Sequence, residues 1–209
     1  MMGSDLESDE QPIHQVNLKS FHLAKYPTTQ VQYMAIMGKN PSGFTEDDRH
    51  PVECVLWGDA MEFCHKLSNI TGTKYTLPSE SQWEYACRAG TTTQFSYGEI
   101  ISMSLANYDG YTYKNPLAKT TPVGKYPANA WGVYELHGNV CEWCLDNWHD
   151  DYRGAPTDGS AWINETLKEH SFRGGSWYYL AKYCRSSWRY HKLVGSFHNN
   201  NSGFRLCSY

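Results

Sequence analysis

The chain has 209 residues, a mass of 24.0 kDa and a formal net charge of −4, from 18 basic and 22 acidic side chains. This length suits one domain over residues 1–209, and the even charge balance excludes a disordered tail and gives no basic field for nucleic acid. No apolar run approaches the roughly 18 residues of a membrane helix, and the chain begins with polar residues. We therefore expect a cytoplasmic protein without nucleic-acid or membrane partners.

The opening of the chain predicts short strands and a helix. Residues 16–18 and 21–23 alternate apolar and polar side chains around a two-residue turn, a pattern that predicts a hairpin. A helix capped by Thr28 or Thr29 should follow and run to about Met37. Its predicted inward face consists of Val31, Met34 and Met37.

Two more helices are predicted before the pattern changes. The second is capped by Asp59, and the third begins at Ser79 or at Ser81, where Ser81 and Glu84 match a capping box. The second helix should direct four residues inward: Met61, Phe63, Cys64 and Leu67. Beyond Gly90 no helical period lasts, and turn-forming and aromatic residues alternate to the C-terminus. The predicted class is α+β with little regular secondary structure.

The cysteines give little support for a metal or redox site. Seven cysteines at irregular spacing do not match a disulfide scaffold. Cys141 and Cys144 form a C-x-x-C pair, but no second pair at matching spacing exists to complete a zinc site. Two packed thiols in a core segment are the preferred interpretation, with zinc or redox chemistry as the alternative.

A tight acidic turn is a weak calcium candidate. Residues 135–142 hold Glu135 and Glu142 around Gly138, and calcium takes many of its ligands from turn carbonyls and carboxylates. On spacing alone, a solvated acidic turn is the preferred interpretation of these residues.

The segment from 177 to 204 is dense in Tyr, Ser, Trp, His and Asn and follows no period of 2 or 3.6. Tyr and Trp supply rigid amphipathic contact area, while Ser and Asn supply adaptable hydrogen bonds, as in binding loops. This composition is compatible with a ligand-binding surface. A long loop with rings packed inward is the alternative.

Several motifs in fixed order carry a family resemblance over nearly the whole chain. They are Met-Gly-Ser at 2–4, Leu-Pro-Ser-Glu-Ser-Gln-Trp-Glu-Tyr-Ala at 77–86, Gly-Val-Tyr-Glu-Leu-His-Gly-Asn-Val at 132–140, Arg-Gly-Gly-Ser-Trp at 173–177 and Gly-Phe-Arg at 203–205. In these motifs the chain resembles the formylglycine-generating enzyme (sulfatase-modifying factor) family. The resemblance implies a variant of the C-type lectin fold, which agrees with the α+β prediction.

The resemblance also implies structural calcium. The first site of the family maps onto Glu135, Gly138, Val140 and Glu142. A second site would comprise Asn107, Tyr108, Asn115 and Leu117, in a loop that is shortened in this chain.

The enzymes of this family hold copper between two cysteines and oxidise a substrate cysteine with O₂. The second cysteine falls on Cys184, but the first falls on Tyr179. A phenol cannot replace a thiolate as a ligand for Cu(I). We therefore expect no copper and no oxidase activity, and an oxidase using Cys184 is the alternative.

The C-terminal segment also resembles the variable proteins of diversity-generating retroelements, which often use this fold. Its frame words are Arg-Gly-Gly-Ser-Trp at 173–177, Cys-Arg-Ser at 184–186 and Gly-Phe-Arg at 203–205, so residues 173–206 form the predicted variable region. Replacing the adenines of an Asn codon can produce the residues at twelve positions between these words: Tyr178, Tyr179, Leu180, Tyr183, Tyr190, His191, Leu193, Val194, Gly195, Ser196, Phe197 and His198. Lys182, Trp188 and Lys192 cannot arise in this way.

The predicted function is therefore display of a diversified surface on a scaffold held by Trp143, Trp177 and Phe204. The binding residues are predicted to be Tyr178, Tyr179, Leu180, Tyr183, Trp188, Tyr190, His191, Leu193, Val194, Ser196, Phe197 and His198. An unknown protein ligand is expected rather than a sugar, because the predicted calcium ions lie in structural turns. A third hypothesis is a sensor or scaffold domain fused to or associated with signalling domains.

Overall fold

The computed structural model describes residues 1–112, 114–193 and 199–209. Its helices are α1 (Gln30–Met37), α2 (Trp57–Thr71) and α3 (Glu80–Arg88), with 3-10 turns at Ser8–Glu10 and Ala181–Cys184. Its strands are β1 (His22–Leu23), β2 (Tyr75–Thr76), β3 (Cys141–Asn147), β4 (Glu169–Arg173), β5 (Arg189–Leu193), β6 (Ser202–Gly203) and β7 (Cys207–Ser208). Long loops join these elements, as the composition predicts.

The strands form two sheets that the C-terminal residues complete. A small antiparallel sheet has the order β1-β7-β2, and a larger one has the order β5-β4-β3-β6. In the larger sheet β6 pairs in parallel with β3, while β3, β4 and β5 are antiparallel. The register places Arg173 of β4 opposite both Glu142 of β3 and Arg189 of β5. Residues far apart in sequence therefore meet in the centre of this sheet.

The helix ends follow local capping chemistry. Thr29 caps α1, with its hydroxyl accepting from the Gln32 N–H at 3.4 Å and the Gln32 side chain accepting from the Thr29 N–H at 3.0 Å. The Gly38 residue that ends α1 has a φ of 72°, a left-handed conformation that glycine adopts without strain. The predicted boundaries of α1 are confirmed.

The start of α2 differs from the prediction, whereas α3 begins after Ser79, one of its two predicted caps. Helix α2 begins at Trp57, and Asp59 acts from within its first turn by accepting the Leu56 N–H at 2.9 Å. Helix α3 is capped by Ser79, with Gln82 closing the capping box. The box expected at Ser81 and Glu84 is wrong, because ion pairs with Arg88 and Arg173 take the Glu84 carboxylate.

Two expectations about the first forty residues are wrong. Residues 16–18 form no strand; instead β1 pairs with β7 at the far end of the chain. The inward face of α1 is correct for Met37, which packs against the main core, but wrong for Val31 and Met34, which are 47% and 46% exposed while Tyr33 is 1% exposed. Tyr33 stacks on Phe63 with ring centroids 5.6 Å apart, so an aromatic contact to α2 decides the rotation of α1.

The core is largely aromatic and includes the predicted scaffold residues. Trp143 and Phe204 lie in the main buried cluster, and Trp177 is 8% exposed, which confirms all three as buried. Six cysteines are buried thiols: Cys64, Cys87, Cys141, Cys144, Cys184 and Cys207. The packed-thiol interpretation of the C-x-x-C pair is therefore confirmed. Among the described residues no helix is both long and apolar enough to cross a bilayer.

Candidate functional site

Four buried arginines attach the C-terminal segment, residues 173–206, to the rest of the protein. Each forms an ion pair with a glutamate that lies outside this segment. We call Arg173, Arg185, Arg189 and Arg205 the anchoring arginines. Their side chains are no more than 5% exposed, so these ion pairs are shielded from solvent.

Glu80 at the start of α3 accepts from two of the anchoring arginines. Arg189 donates to both of its carboxylate oxygens at 2.6 and 2.9 Å, and Arg173 donates at 3.3 Å. Arg173 also donates to Glu84 at 2.5 Å. Burial raises the pKa of the Glu80 carboxyl, but the charges of Arg189 and Arg173 outweigh it and lower that pKa to about 2. Helix α3 is thereby tied to both β4 and β5.

The other two anchoring arginines bind single glutamates at two points. Arg205 donates to the two oxygens of Glu142 at 2.6 and 2.7 Å. Arg185 donates to Glu10 at 2.9 and 2.7 Å, which ties the N-terminal 3-10 turn to the C-terminal segment. Removing one member of a buried pair leaves an uncompensated charge, at a cost of about 3–5 kcal/mol.

Beside these buried groups lies the aromatic cluster, defined as Tyr179, Tyr183, Trp188 and Tyr190. The Trp188 and Tyr190 rings stack at 5.7 Å with an interplanar angle of 7°. Tyr179 contacts the rings of the other three members at centroid distances of 5.7 to 6.4 Å. Tyr190 is 41% exposed whereas Trp188 is only 7% exposed, so Trp188 forms the buried base of the cluster.

Tyr178 extends the exposed aromatic area. It is 38% exposed and packs edge-on against Tyr179 at 5.9 Å and against Tyr111 at 5.4 Å. The predictions from sequence missed Tyr111, which lies almost seventy residues earlier in the chain and has no local pattern that marks it. The surface therefore combines residues of the C-terminal segment with at least one residue from a preceding loop.

A cavity of about 580 Å³ lies at the edge of the aromatic cluster. The rings of Tyr183, Trp188 and Tyr190 line it together with residues from the N-terminal turn. The N-terminal residues at the cavity are Leu6, Glu7 and Asp9. These three were not predicted from sequence, because the ion pair between Arg185 and Glu10 that brings this turn to the site joins distant parts of the chain.

The remaining predicted binding residues are more dispersed. Leu180 is half-buried before the second 3-10 turn, and Leu193 is 53% exposed at the end of β5. His191 lies 3.1 Å from Glu169 and stacks on Trp148 at 4.4 Å, beside rather than within the aromatic cluster. Four predicted positions lie outside the described residues: Val194, Ser196, Phe197 and His198.

The first predicted calcium set fits a cation only in part. Glu135 is buried, and its Oε1 accepts from the Gly124 N–H at 2.7 Å while its Oε2 has no hydrogen-bond partner among the described residues. Burial, reinforced by the nearby Glu142, raises the pKa of Glu135 to about 7. A cation would satisfy this oxygen. Glu142 does not fit, because Arg205 and the Trp83 indole occupy its oxygens.

The other members of that set, Gly138 and Val140, lie in the buried turn that follows Glu135. In the second set, the Asn115 amide donates to Asn107 Oδ1 at 2.7 Å and to the Tyr108 carbonyl at 2.9 Å, and Asn115 Oδ1 accepts from the Leu117 N–H at 3.0 Å. Hydrogen bonds thus already use these oxygens. The described residues contain no group of three or more His, Cys, Asp or Glu side chains placed to hold a metal.

The two positions at which the family resemblance predicts copper-binding cysteines are occupied by different chemical groups. Cys184 is fully buried, and burial raises the pKa of its thiol well above the usual value. Its sulfur packs against Gly175, where a φ of 66° and the lack of space both require glycine. Tyr179 places a half-buried ring in the aromatic cluster instead of a second thiol.

Comparison with known proteins identifies the fold. The structure of PvdO from Pseudomonas aeruginosa superposes with a TM-score of 0.87 at 32% identity, covering 99% of this chain and 89% of that chain. Variable protein 1 of Treponema denticola superposes with a TM-score of 0.90 at 27% identity, covering 99% and 90%. The protein therefore has the C-type lectin-like fold of the formylglycine-generating-enzyme type, which confirms the predicted fold class.

The sequence profile of the sulfatase-modifying factor enzyme 1-like domain matches residues 1–208, so the chain belongs to that family. The formylglycine-generating enzyme of Mycobacterium tuberculosis is 32% identical over 171 residues, which is 70% of this chain and 54% of that protein. The chain spans between 34% and 64% of the length of the first curated relatives that it matches.

Proposed function

We propose that this protein binds a protein ligand through diversified side chains of the C-terminal segment, as a variable protein of a diversity-generating retroelement. One observation carries the proposal. Seven of the twelve predicted diversified positions lie among the described residues, and none of the seven is buried: Tyr178, Tyr179, Leu180, Tyr183, Tyr190, His191 and Leu193. The intervening residues 184–189 are all buried. The predicted diversified positions thus reach the surface on both sides of a buried run, although Ser187 within that run would also fit an Asn codon and Lys182, which would not, is exposed.

The burial of residues 184–189 allows the exposed side chains around them to vary. Two anchoring arginines and Cys184 lie in the buried run, so the backbone of the segment is held by contacts that the exposed side chains do not make. Exposed positions away from such contacts usually change stability by no more than about 0.5 kcal/mol when they are substituted. A surface that must vary needs this independence.

Burial also gives a role to Trp188, a residue that an Asn codon cannot produce. Its ring is 7% exposed and packs under Tyr179 and Tyr190. We assign Trp188 to the invariant support of the surface. Lys192 belongs with it, since this lysine donates to the Ser202 hydroxyl at 2.8 Å and links β5 to β6.

An oxidase that uses Cys184 is the alternative. The similarity to formylglycine-generating enzymes supports it, but that similarity extends over the scaffold of both classes of protein. A bis-thiolate copper site requires two soft ligands, and Tyr179 supplies only a phenol whose pKa burial raises further. The proposal is therefore that the protein is not an enzyme. Structural calcium at Glu135 remains part of the proposal, because its buried oxygen lacks a partner among the described residues.

The DNA that flanks the gene provides the decisive test. We expect a reverse-transcriptase gene and a near-copy of the region that encodes residues 177–204. The two copies should differ only where the near-copy has adenine, and the differences should fall in codons for exposed positions such as Tyr178 and Tyr190. Differences spread over all four bases, or over the buried run 184–189, would reject diversification.

A further inference from the structure

We infer that the cavity beside the aromatic cluster binds a basic side chain, lysine or arginine, of the protein ligand. This inference deepens the proposed function and rests on it. It concerns the chemistry of one subsite that is built jointly by the N-terminal turn and the C-terminal segment.

The aromatic wall of the cavity suits a cation. The stacked rings of Trp188 and Tyr190 line it together with Tyr183. Aromatic faces carry negative partial charge and attract ammonium or guanidinium groups within about 6 Å of the ring centre. The chain's own Lys182 already illustrates the contact, since its ammonium lies 4.7 Å from the centre of the Tyr183 ring.

The cavity is also lined by two carboxylates, whose negative charge complements a basic side chain. Glu7 is exposed and Asp9 is half-buried, and neither forms an ion pair with a described residue. The two arginines that line the cavity are already neutralised, because Arg185 binds Glu10 at two points and Arg189 binds Glu80 at two points. Neither carboxylate of Glu7 and Asp9 therefore has an ion-pair partner of its own among the described residues; the nearby Lys182 and, for Asp9, the charge of Arg189 oppose their negative charge in part.

Asp9 is the more informative of the two carboxylates. Burial raises its pKa, and the charge of Arg189 only partly opposes that effect. A cation that enters the cavity would compensate a carboxylate that folding has partly desolvated. The volume of about 580 Å³ accommodates a long basic side chain together with part of its backbone.

A titration with short peptides tests the inference directly. The probes are acetyl-Gly-Arg-Gly-amide, the lysine analogue, and the citrulline analogue, which keeps the shape of arginine without its charge. Binding is followed by NMR through the indole N–H signal of Trp188. Free agmatine, a small guanidinium compound, serves as the probe for a small-molecule source of the same charge.

We expect the arginine and lysine peptides to shift the Trp188 signal and the citrulline peptide to bind at least about fivefold more weakly. Replacing both cavity carboxylates, with Glu7→Gln and Asp9→Asn, should weaken the arginine peptide about tenfold. Lys182→Gln should strengthen it about two- to threefold by removing the competing charge. The matched control, Asp5→Asn with Glu165→Gln, removes the same net charge from exposed positions outside the cavity and should change nothing.

Equal binding of the arginine and citrulline peptides would overturn the inference, as would equal affinities in the cavity and control variants. Tighter binding of agmatine than of the peptide would overturn the assignment to a protein side chain. A circular dichroism melt of each variant separates lost binding from lost folding. The outcome is distinguishable from failure of the proposed function, because adenine-specific variation in the flanking DNA does not depend on this cavity.

Discussion

Arg205 and Glu142 form a two-point ion pair from which solvent is excluded, with both side chains 0% exposed. Glu142 belongs to β3, and Arg205 lies two residues beyond the short strand β6 that pairs with β3. The Trp83 indole donates to the same carboxylate at 2.6 Å. The pair therefore joins the end of the C-terminal segment to the sheet and to α3 at a single point.

We expect Glu142→Gln to lower the free energy of unfolding by about 3–5 kcal/mol, because it leaves the Arg205 charge buried without compensation. Urea denaturation followed by tryptophan fluorescence measures the change. Glu165→Gln, at an exposed position, is the control and should stay within about 0.5 kcal/mol of the natural protein. A loss below about 1 kcal/mol for Glu142→Gln would contradict the anchoring role.

The exposed and buried rings of the surface should respond differently to truncation. Tyr178→Ser and Tyr190→Ser should each cost less than about 1 kcal/mol, because both rings are more than one third exposed. Trp188→Ala should cost about 3–5 kcal/mol, because it removes a buried aromatic ring. Equal losses at all three positions, measured by urea denaturation, would show that the scaffold and the variable surface are not independent.

Stability should decrease in acid through Glu80. Its pKa is about 2 in the folded protein against an ordinary value of 4.5, so its contribution is complete above about pH 5 and is lost as the pH falls toward 2. The shift corresponds to at most about 3 kcal/mol. The difference in stability between the natural protein and Glu80→Gln should therefore narrow between pH 5 and pH 3. Carbon-13 NMR of the Glu80 carboxyl gives a direct check, since the group should remain ionised at pH 3.

Sequence patterns predicted the features of this fold that depend on neighbouring residues. The Thr29 cap and the end of α1 at Gly38 follow from local hydrogen bonds, and the predicted boundaries are confirmed. The pairing of β1 with β7 could not be predicted in this way, because its partners, Leu23 and Cys207, lie at opposite ends of the chain.

The candidate site, too, could be predicted from sequence only where it depends on neighbouring residues. The composition of the C-terminal segment indicated a binding surface and named Tyr178 and Tyr190. The contribution of Asp9 to the cavity depends on the ion pair between Glu10 and Arg185, which are 175 positions apart. An arginine within each frame word was a usable signal for buried anchoring, but nothing in the sequence identified the glutamate that pairs with each one.

Calcium should stabilise the protein through Glu135. Its buried Oε2 has no hydrogen-bond partner among the described residues, so a bound cation would satisfy an otherwise uncompensated oxygen. We expect calcium at a concentration one hundred times its dissociation constant to add about 2.7 kcal/mol to the free energy of unfolding of the metal-free protein. Glu135→Gln should abolish the increase, and magnesium is the control ion. An unchanged thermal midpoint on addition of calcium would reject the site.

Copper chemistry provides the sharpest contrast between the two candidate functions. The reduced natural protein should bind no Cu(I) tightly and should consume no oxygen with a cysteine-containing peptide, because the phenol of Tyr179 stands where the first of the two thiolates is needed. Tyr179→Cys should create a Cu(I) site together with Cys184, and Cys184→Ser in that background should remove it again. Competition with a chromogenic Cu(I) chelator measures binding, and an oxygen electrode measures turnover. Tight binding and turnover by the natural protein, both lost in Cys184→Ser, would instead establish the oxidase and displace the ligand-binding proposal.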